Sequence, residues 1–177
     1  MKVDIGSGFY ISLPQSGDES RYVKLLNDPY IFARTLMLPA NYSLKDAEWF
    51  LNHCKEKKQA FGHPINFAIR NPDGVLIGGC GFHGNNTFAG VAHRDEIGYW
   101  LTEDYRGKGI MTAAVQFLVR YGFETRNLLR IEAPVYAFNI ESQKVLLRCG
   151  FTEEGYLRKA YFRNGEYHDA KLYAITR

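Results

Sequence analysis

The stretch that most constrains this sequence lies at residues 96–112 and reads EIGYWLTEDYRGKGIMT. Residues 96–101 alternate like a strand, a glycine loop follows at 105–109, and an apolar stripe across 114–121 predicts an amphipathic helix. A helix start offers backbone N–H groups without intrahelical acceptors, at the positive end of the helix dipole. Glycines let the backbone close around an anion without interfering Cβ atoms. This order of elements predicts an anion site suited to a pyrophosphate.

Two cations in the loop support this interpretation. Arg106 and Lys108 flank Gly107 and would add charge-assisted donors to the backbone N–H groups. The alternative is a solvated turn in which the glycines only permit tight geometry. A Gly-x-Gly pair alone would favour that alternative, whereas the flanking strand, the two cations and the amphipathic helix together favour an anion site.

Gly98 interrupts the strand that leads to the loop. A glycine inside a strand is typical of a β-bulge or of a close backbone approach. A bulge there would separate this strand from the one predicted at 129–136, and the exposed edge groups would bind an extended, amide-containing ligand such as a pantetheine arm. A glycine placed only for side-chain packing is the alternative, and the sequence leaves both open.

The rest of the chain predicts an α/β fold with a mixed sheet. A turn at 71–74 joins predicted strands at 65–70 and 75–82, and Asn164-Gly165 predicts a second hairpin. Hairpins give antiparallel pairs, whereas a strand-loop-helix-strand crossover in the middle gives a parallel pair. We expect one domain spanning residues 1–177.

Composition excludes several other classes of protein. The net charge of +3 comes from scattered basic residues and does not indicate a nucleic-acid partner. The 3 cysteines form no CxxC pair, and the 5 histidines show no metal-ligand spacing, so we expect neither a disulfide framework nor a metal site. Because a signal-peptide core and an apolar run of ~20 residues are both missing, we expect a cytoplasmic protein without a membrane partner.

Three motifs together resemble a known family. The segment RGKGIM at 106–111 is similar to the acetyl-CoA signature of the GNAT superfamily, Gln/Arg-x-x-Gly-x-Gly/Ala, with Met111 at a position where Gly or Ala is usual. The segment EIGYWL before it, and Asn139-x-x-Ser142 with RCGF after the next strand, resemble the RimJ/RimL-like branch. The resemblance covers about residues 75–176. It implies the GNAT fold, with a mixed, mostly antiparallel twisted sheet flanked by helices and splayed central strands.

The resemblance also implies a reaction and a set of contacts. The reaction is transfer of an acetyl group from acetyl-CoA to a primary amine, on a protein N-terminus or a small molecule, by direct attack through a tetrahedral intermediate. Trp100 and Leu101 would bond the pantetheine arm through their backbone, Asn139 would reach it or an ordered water, and Lys144 would lie near the nucleotide. The pyrophosphate would be wrapped by Arg106, Gly107, Lys108, Gly109, Ile110, Met111 and Thr112.

Acetyl transfer to an amine needs a proton acceptor, an oxyanion donor and, for the leaving thiolate, an acid. Glu96 is the predicted base, acting directly or through water. One alternative is that Glu96 is only an exposed carboxylate at the end of a strand. The other is that a register shift of one residue turns Glu96 away, so that Asp95 is the base. The backbone N–H of Tyr99 or Trp100 is the predicted oxyanion donor. Many GNAT enzymes use a tyrosine acid on the helix that begins after Asn139, but this helix has none. Ser142 is the remaining polar candidate there, with a structural bond to the preceding turn as its alternative.

Two other functions stay open. One is a catalytically weak GNAT-fold module that binds acyl-CoA without turnover, and the other is a peptide-binding adaptor that uses the aromatic C-terminal hairpin. The GxGxxG match at 79–84 is rejected as a dinucleotide site because the following residues, 85–90, are a poor helix start.

Overall fold

The chain folds as helices and strands in the mixed order that its hairpin and helix-start signals predict. The computed structural model describes residues 1–84 and 89–177. Its strands and helices, in chain order, are β1 (Lys2–Gly6), β2 (Phe9–Ser12), α1 (Glu19–Leu26), α2 (Pro29–Arg34), α3 (Leu44–Phe61), β3 (Asn66–Arg70), β4 (Leu76–Phe82), β5 (Arg94–Leu101), α4 (Ile110–Glu124), β6 (Arg130–Tyr136), α5 (Ile140–Arg148), β7 (Thr152–Arg163) and β8 (Glu166–Thr176).

Within residues 1–84 and 89–177, the strands form an 8-stranded sheet in the order β1-β2-β3-β4-β5-β6-β8-β7. β5 and β6 pair in parallel, and the pairs of β1 with β2, β2 with β3, β3 with β4, β6 with β8 and β7 with β8 are antiparallel. The predicted α/β class with a mixed, mostly antiparallel sheet is confirmed. Two compact units make up the chain: unit 1 contains Met1–Gly81 and Tyr99–Ala114, and unit 2 contains Phe82–Gly98 and Val115–Arg177.

Local sequence signals account for most of the element boundaries. Ser43 and Asp46 form the capping box that starts α3, with the Ser43 side chain accepting from the backbone of Asp46 and the Asp46 side chain accepting in return. Asn164 and Gly165 both have positive φ angles, 53° and 84°, as the tight turn between β7 and β8 requires. Asp28 accepts hydrogen bonds from the first N–H groups of α2, so Asp28-Pro29 starts a second helix as well as ending the first.

Unit 1 packs around an aromatic cluster in which Trp100 has a central place. The Trp100 ring lies 6.1 Å from that of Tyr22, edge to face, and Tyr22 also meets Phe50 at 5.3 Å. Glycine is required beneath the indole because a Cβ atom at Gly79 would lie 2.7 Å from its Nε1 atom. The side chain of Trp100 therefore fixes the end of β5, from which the predicted anion loop continues.

A buried ion pair crosses unit 1. Asp18 occupies the N-cap position of α1, but its side chain makes no cap hydrogen bond. It instead accepts from both terminal nitrogens of Arg70 at 3.0 and 2.6 Å, and Arg70 also donates to Ser12 at 2.8 Å. The side chains of Arg70 and Asp18 are only 5% and 7% exposed. Each charge depends on the other because water does not solvate either of them well.

The substitution Asp18→Asn is therefore expected to lower the free energy of unfolding by about 3 kcal/mol, since it leaves the buried Arg70 charge without its counter-ion. Urea unfolding monitored by circular dichroism would show this as a lower midpoint at an unchanged slope. The control is Lys171→Met, which breaks the exposed pair of Lys171 with Glu153 and should move the midpoint far less. Equal midpoints for Asp18→Asn and the wild type would contradict this account of the pair.

Candidate active site

The parallel pairing of β5 with β6 stops partway along both strands. Arg94, Asp95 and Glu96 pair with residues 130–132, and Glu96 opposite Glu132 is the last pair. β6 nevertheless continues its pairing with β8 as far as Tyr136. Within the described residues, the backbone of Ile97 and Gly98 thus has no partner on β6, which is the divergence of central strands that the family resemblance implied. Edge groups freed in this way are available to an extended ligand.

The glycine loop in unit 1 has the geometry of an anion cradle. Gly107 and Gly109 have φ angles of 73° and 79°, in the left-handed region that glycine adopts at little cost. A Cβ atom built on either glycine meets no other atom within 4 Å, so the space above the loop is open. The N–H of Ala113 donates to the carbonyl of Gly109 at 3.0 Å, which makes Gly109 the N-cap residue of α4. The residues present therefore fit a bound phosphate group.

Met111 does not block this loop, although Gly or Ala is usual at its position. The residue is only 9% exposed. Its side chain is therefore packed inside the fold, and its N–H belongs to the first turn of α4, where intrahelical acceptors are missing. A backbone contact to an anion is retained without the small residue of the motif.

Arg106 is turned back onto unit 1. Its Nε donates to the carbonyl of Leu101 at 3.1 Å, and its guanidinium carbon lies 3.7 Å from the centre of the Tyr30 ring. The guanidinium carbon of Arg34 lies 3.6 Å from the same centre, so the two cations occupy opposite faces of the ring. The Nη2 atom of Arg106 is buried and has no hydrogen-bond partner in the described part of the chain. Arg106 thus anchors the loop, and Lys108 is the exposed cation of the pair.

Glu96, the predicted base, lies beside an imidazole that the sequence analysis assigned no role. Its Oε2 atom is 3.3 Å from Nδ1 of His83, and the two side chains are 38% and 33% exposed. The hydrogen bond from His83 lowers the pKa of Glu96 below its usual value, and the charges of His83 and Arg94 act in the same direction against partial burial. Glu96 is therefore ionised at neutral pH and reachable from solvent.

Asp95, the alternative base, has a structural role in a buried ion pair. It accepts from Arg126 at 2.7 Å, and the side chains of Arg126 and Asp95 are 2% and 0% exposed. The N–H groups of Gly84 and Glu96 also donate to it, at 3.1 and 2.8 Å. A carboxylate with these partners and no solvent access is poorly placed to accept a substrate proton, so the geometry favours Glu96.

The predicted residues after β6 lie at the start of α5 in unit 2. The side chain of Asn139 caps this helix by accepting from the N–H of Ser142 at 3.3 Å. Asn139 is 9% exposed, Ser142 is half-buried and Lys144 is exposed. Unit 1 contains the predicted site residues from Tyr99 to Thr112. Unit 2 contains the other four, which are Glu96, Asn139, Ser142 and Lys144.

Two tyrosines in unit 2 were also missed by the sequence analysis. Tyr136 and Tyr161 meet edge to face with ring centres 5.6 Å apart. Burial raises the pKa of Tyr161, and the negative charge of Glu96 raises it further, so this hydroxyl keeps its proton at neutral pH. The hydroxyl oxygen of Tyr136 is buried without a hydrogen-bond partner within residues 1–84 and 89–177. The sequence placed both rings in strands, where aromatic residues are common, and gave no sign that Tyr161 interacts with Glu96.

These features place the chain within one protein family. The family model described as an acetyltransferase (GNAT) domain matches residues 9–152. The chain belongs to this GNAT family. Among solved structures, the crystal structure of a probable acetyltransferase has 26% sequence identity and a TM-score of 0.84, with 99% of this chain and 97% of that chain covered. The predicted GNAT fold is confirmed.

Curated GNAT relatives resemble this chain over part of their length. One is a putative ribosomal N-acetyltransferase, YdaF, of Bacillus subtilis (strain 168), 37% identical over 106 residues, which cover 59% of this chain and 58% of the relative. Another is the ribosomal-protein-serine acetyltransferase of Escherichia coli (strain K12), 42% identical over 113 residues, which cover 64% of this chain and 61% of the relative. In both cases the chain spans less than two thirds of the relative's length.

Two other properties concern the described residues only. No helix within 1–84 and 89–177 is long and apolar enough to span a membrane. The same residues contain no cluster of three or more His, Cys, Asp or Glu side chains able to hold a metal ion.

Proposed function

We propose that this GNAT chain is an N-acetyltransferase that moves an acetyl group from acetyl-CoA to a primary amine. The observation that carries the proposal is the open loop at the start of α4, where Gly107 and Gly109 both have positive φ angles and face empty space. Such a loop suits a pyrophosphate, and the family match extends across it. Acetyl-CoA, as cosubstrate, supplies an acetyl group activated as a thioester.

The contacts to acetyl-CoA are part of the proposal. The backbone from Gly107 to Thr112 binds the pyrophosphate, with Lys108 as the exposed cation and Arg106 as the anchor of the loop. Trp100 and Leu101 bond the pantetheine arm through their backbone. That backbone range includes Ile110 and Met111. Tyr99, Asn139 and Lys144 are the other residues proposed to contact acetyl-CoA.

The chemistry assigned to this chain is proton transfer and charge stabilisation. Glu96 drives removal of the ammonium proton, since only a neutral amine attacks a thioester. The backbone N–H of Tyr99 or Trp100 stabilises the oxyanion in the tetrahedral intermediate. Ser142 assists departure of the sulfur. The ionised, solvent-accessible state of Glu96 supports its role.

Ser142→Ala is expected to lower kcat by about tenfold, the equivalent of one hydrogen bond of roughly 1.4 kcal/mol made in the transition state. The Michaelis constant for acetyl-CoA should stay nearly unchanged, because the bond is not needed for binding. Steady-state assays of thiol release measure both constants. Glu141→Gln, on the exposed side of the same helix, is the control and should be as active as the wild type. Full turnover in Ser142→Ala would show that Ser142 has no catalytic role and serves only in packing.

The proposed acceptor is the α-amino group of a protein chain, with a small-molecule amine as the alternative. The names of the two curated relatives, which refer to ribosomal substrates, support the first choice. Mass spectrometry after incubation with acetyl-CoA, N-terminal peptides of ribosomal proteins, free amino acids and spermidine would separate the two. We expect peptides that gain one acetyl group at the α-nitrogen, and acetylation of spermidine alone would overturn this choice.

We further propose that residues 1–177 act as one domain and that the protein is cytoplasmic. Among the described residues, Cys54, Cys80 and Cys149 form no disulfide bond, which suits a reducing compartment. Burial raises the pKa of the Cys80 thiol to about 12, so it carries little thiolate and is chemically inert near neutral pH.

A further inference from the structure

His83 is held in a fixed position by its own backbone and by the carboxylate of Glu96. Its N–H bonds the carbonyl of Glu96 at 2.9 Å, which pairs the residue after β4 with β5. Its ring nitrogen Nδ1 lies 3.3 Å from Oε2 of Glu96. Both contacts come from one partner, so the orientation of the ring follows the position of Glu96.

Gly98 provides the space that the other side of the imidazole occupies. A Cβ atom at this position would lie 3.1 Å from Nε2 of His83 and 3.9 Å from its Cδ2. The ring therefore lies over the glycine backbone, just past the point where β5 loses its pairing with β6. Within residues 1–84 and 89–177, Nε2 has no hydrogen-bond partner, and the His83 side chain is 33% exposed, so this nitrogen is available to a ligand.

This arrangement fixes the chemistry of the ring. When Nδ1 donates its proton to the Glu96 carboxylate, Nε2 carries the lone pair of the neutral imidazole and can accept a proton. Glu96 alone is a weak base because its pKa is lowered, whereas general-base catalysis is most efficient when the pKa lies near the working pH. Imidazole is the side chain that titrates in that range.

We propose that His83 is the proton acceptor of the acetyltransfer reaction and that Glu96 is the positioning carboxylate that orients it. This inference rests on the proposed function and specifies the residue that receives the proton. Within the described residues, the charged or titratable groups that interact with Glu96 are His83 beyond β4, Arg94 on β5 and Tyr161 on β7.

The proton balance of the step is complete without a further reagent. The substrate ammonium gives one proton to Nε2 of His83, and the neutral nitrogen then forms a bond to the thioester carbonyl carbon. The C–S bond breaks with its electron pair on sulfur, and the second proton of the nitrogen passes to that sulfur. His83 finally returns its proton to solvent, so the net products are the amide, the free thiol and one proton.

The test compares kcat across pH for wild type, His83→Gln and Glu96→Gln. We expect His83→Gln to lose about a hundredfold in kcat at neutral pH, together with the imidazole limb of the pH profile. Glu96→Gln should keep that limb at a lower maximum, because the imidazole is still present but has lost the carboxylate that orients it. His93→Gln, at an exposed histidine in unit 2, is the matched control and should behave like wild type.

A rescue measurement keeps the test independent of a loss of folding. Imidazole added to His83→Ala should restore part of the lost activity, which a purely structural role for His83 would not allow.

The outcomes separate this inference from the proposed function. A pH limb that survives in His83→Gln and disappears in Glu96→Gln would overturn the inference and make Glu96 the base, as would wild-type turnover in His83→Gln. Wild-type protein that releases no thiol with any amine would overturn the proposed function itself, and this inference with it.

Discussion

Replacing Glu96 by glutamine is expected to lower kcat by about a hundredfold or more at neutral pH, the usual scale for disabled general-base catalysis. Glutamine keeps the size of the side chain and a hydrogen bond toward His83, but it carries no negative charge. Amine substrates are mostly protonated at this pH, and only their neutral form reacts. The deficit should shrink as the pH rises, because bulk water then supplies more free amine. Thiol release from acetyl-CoA, followed between about pH 6 and pH 10, measures both effects.

The control for this variant is Asp95→Asn, one residue earlier on β5. Asp95 is paired with Arg126 inside the fold, so its replacement should lower stability while the remaining folded protein keeps its pH profile. Full activity of Glu96→Gln at every pH, with loss of activity in Asp95→Asn, would show that the roles of the two carboxylates are reversed. Full activity of both variants would place deprotonation in bulk water.

The substitution Gly109→Val is expected to weaken acetyl-CoA binding by roughly 30-fold or more, the equivalent of about 2 kcal/mol for one lost charge-assisted hydrogen bond. Gly109 has a φ angle of 79°, which a β-branched residue adopts only with strain. A side chain there would also extend into the open space above the loop that the pyrophosphate is proposed to occupy. Isothermal titration with acetyl-CoA measures the change.

Gly165→Val provides a closely matched control. Gly165 has a similar φ angle of 84°, and a Cβ atom there likewise meets no atom within 4 Å. Both variants should therefore suffer comparable backbone strain, whereas only Gly109→Val should lose affinity for acetyl-CoA. Acetyl-pantetheine, which lacks the phosphates, should bind the wild type more weakly than acetyl-CoA does. Equal affinities of the wild type for the two ligands would contradict the phosphate role of the loop.

The parts of the fold and site that the sequence predicted depend on contacts close together along the chain. The loop before α4 and the turn at Asn164-Gly165 are each encoded within a few residues. Their geometry follows from the backbone preferences of glycine and asparagine. The mixed sheet could also be predicted, because hairpins give antiparallel pairs and the central crossover gives a parallel one.

The missed features all depend on residues distant in sequence. His83 meets Glu96 only because β4 and β5 are neighbours, and a single histidine carries no spacing signal. Tyr30 lies on α2, and its ring contacts the guanidinium of Arg106, which follows β5. No local sequence pattern predicts this contact. Asp18 occupies an N-cap position, but the buried charge of Arg70 competes for its carboxylate and offers two charge-assisted bonds.

Amine-dependent release of free thiol from acetyl-CoA is the most direct test of the central claim that this GNAT chain is an N-acetyltransferase. The measurement uses the full chain, acetyl-CoA and a panel of N-terminal peptides, amino acids and polyamines, with Glu96→Gln in parallel. We predict release that depends on at least one amine, matches the amount of acetylated product and falls in the variant. Saturable binding of acetyl-CoA without amine-dependent release across the whole panel would contradict the claim and identify the chain as an acyl-CoA-binding module.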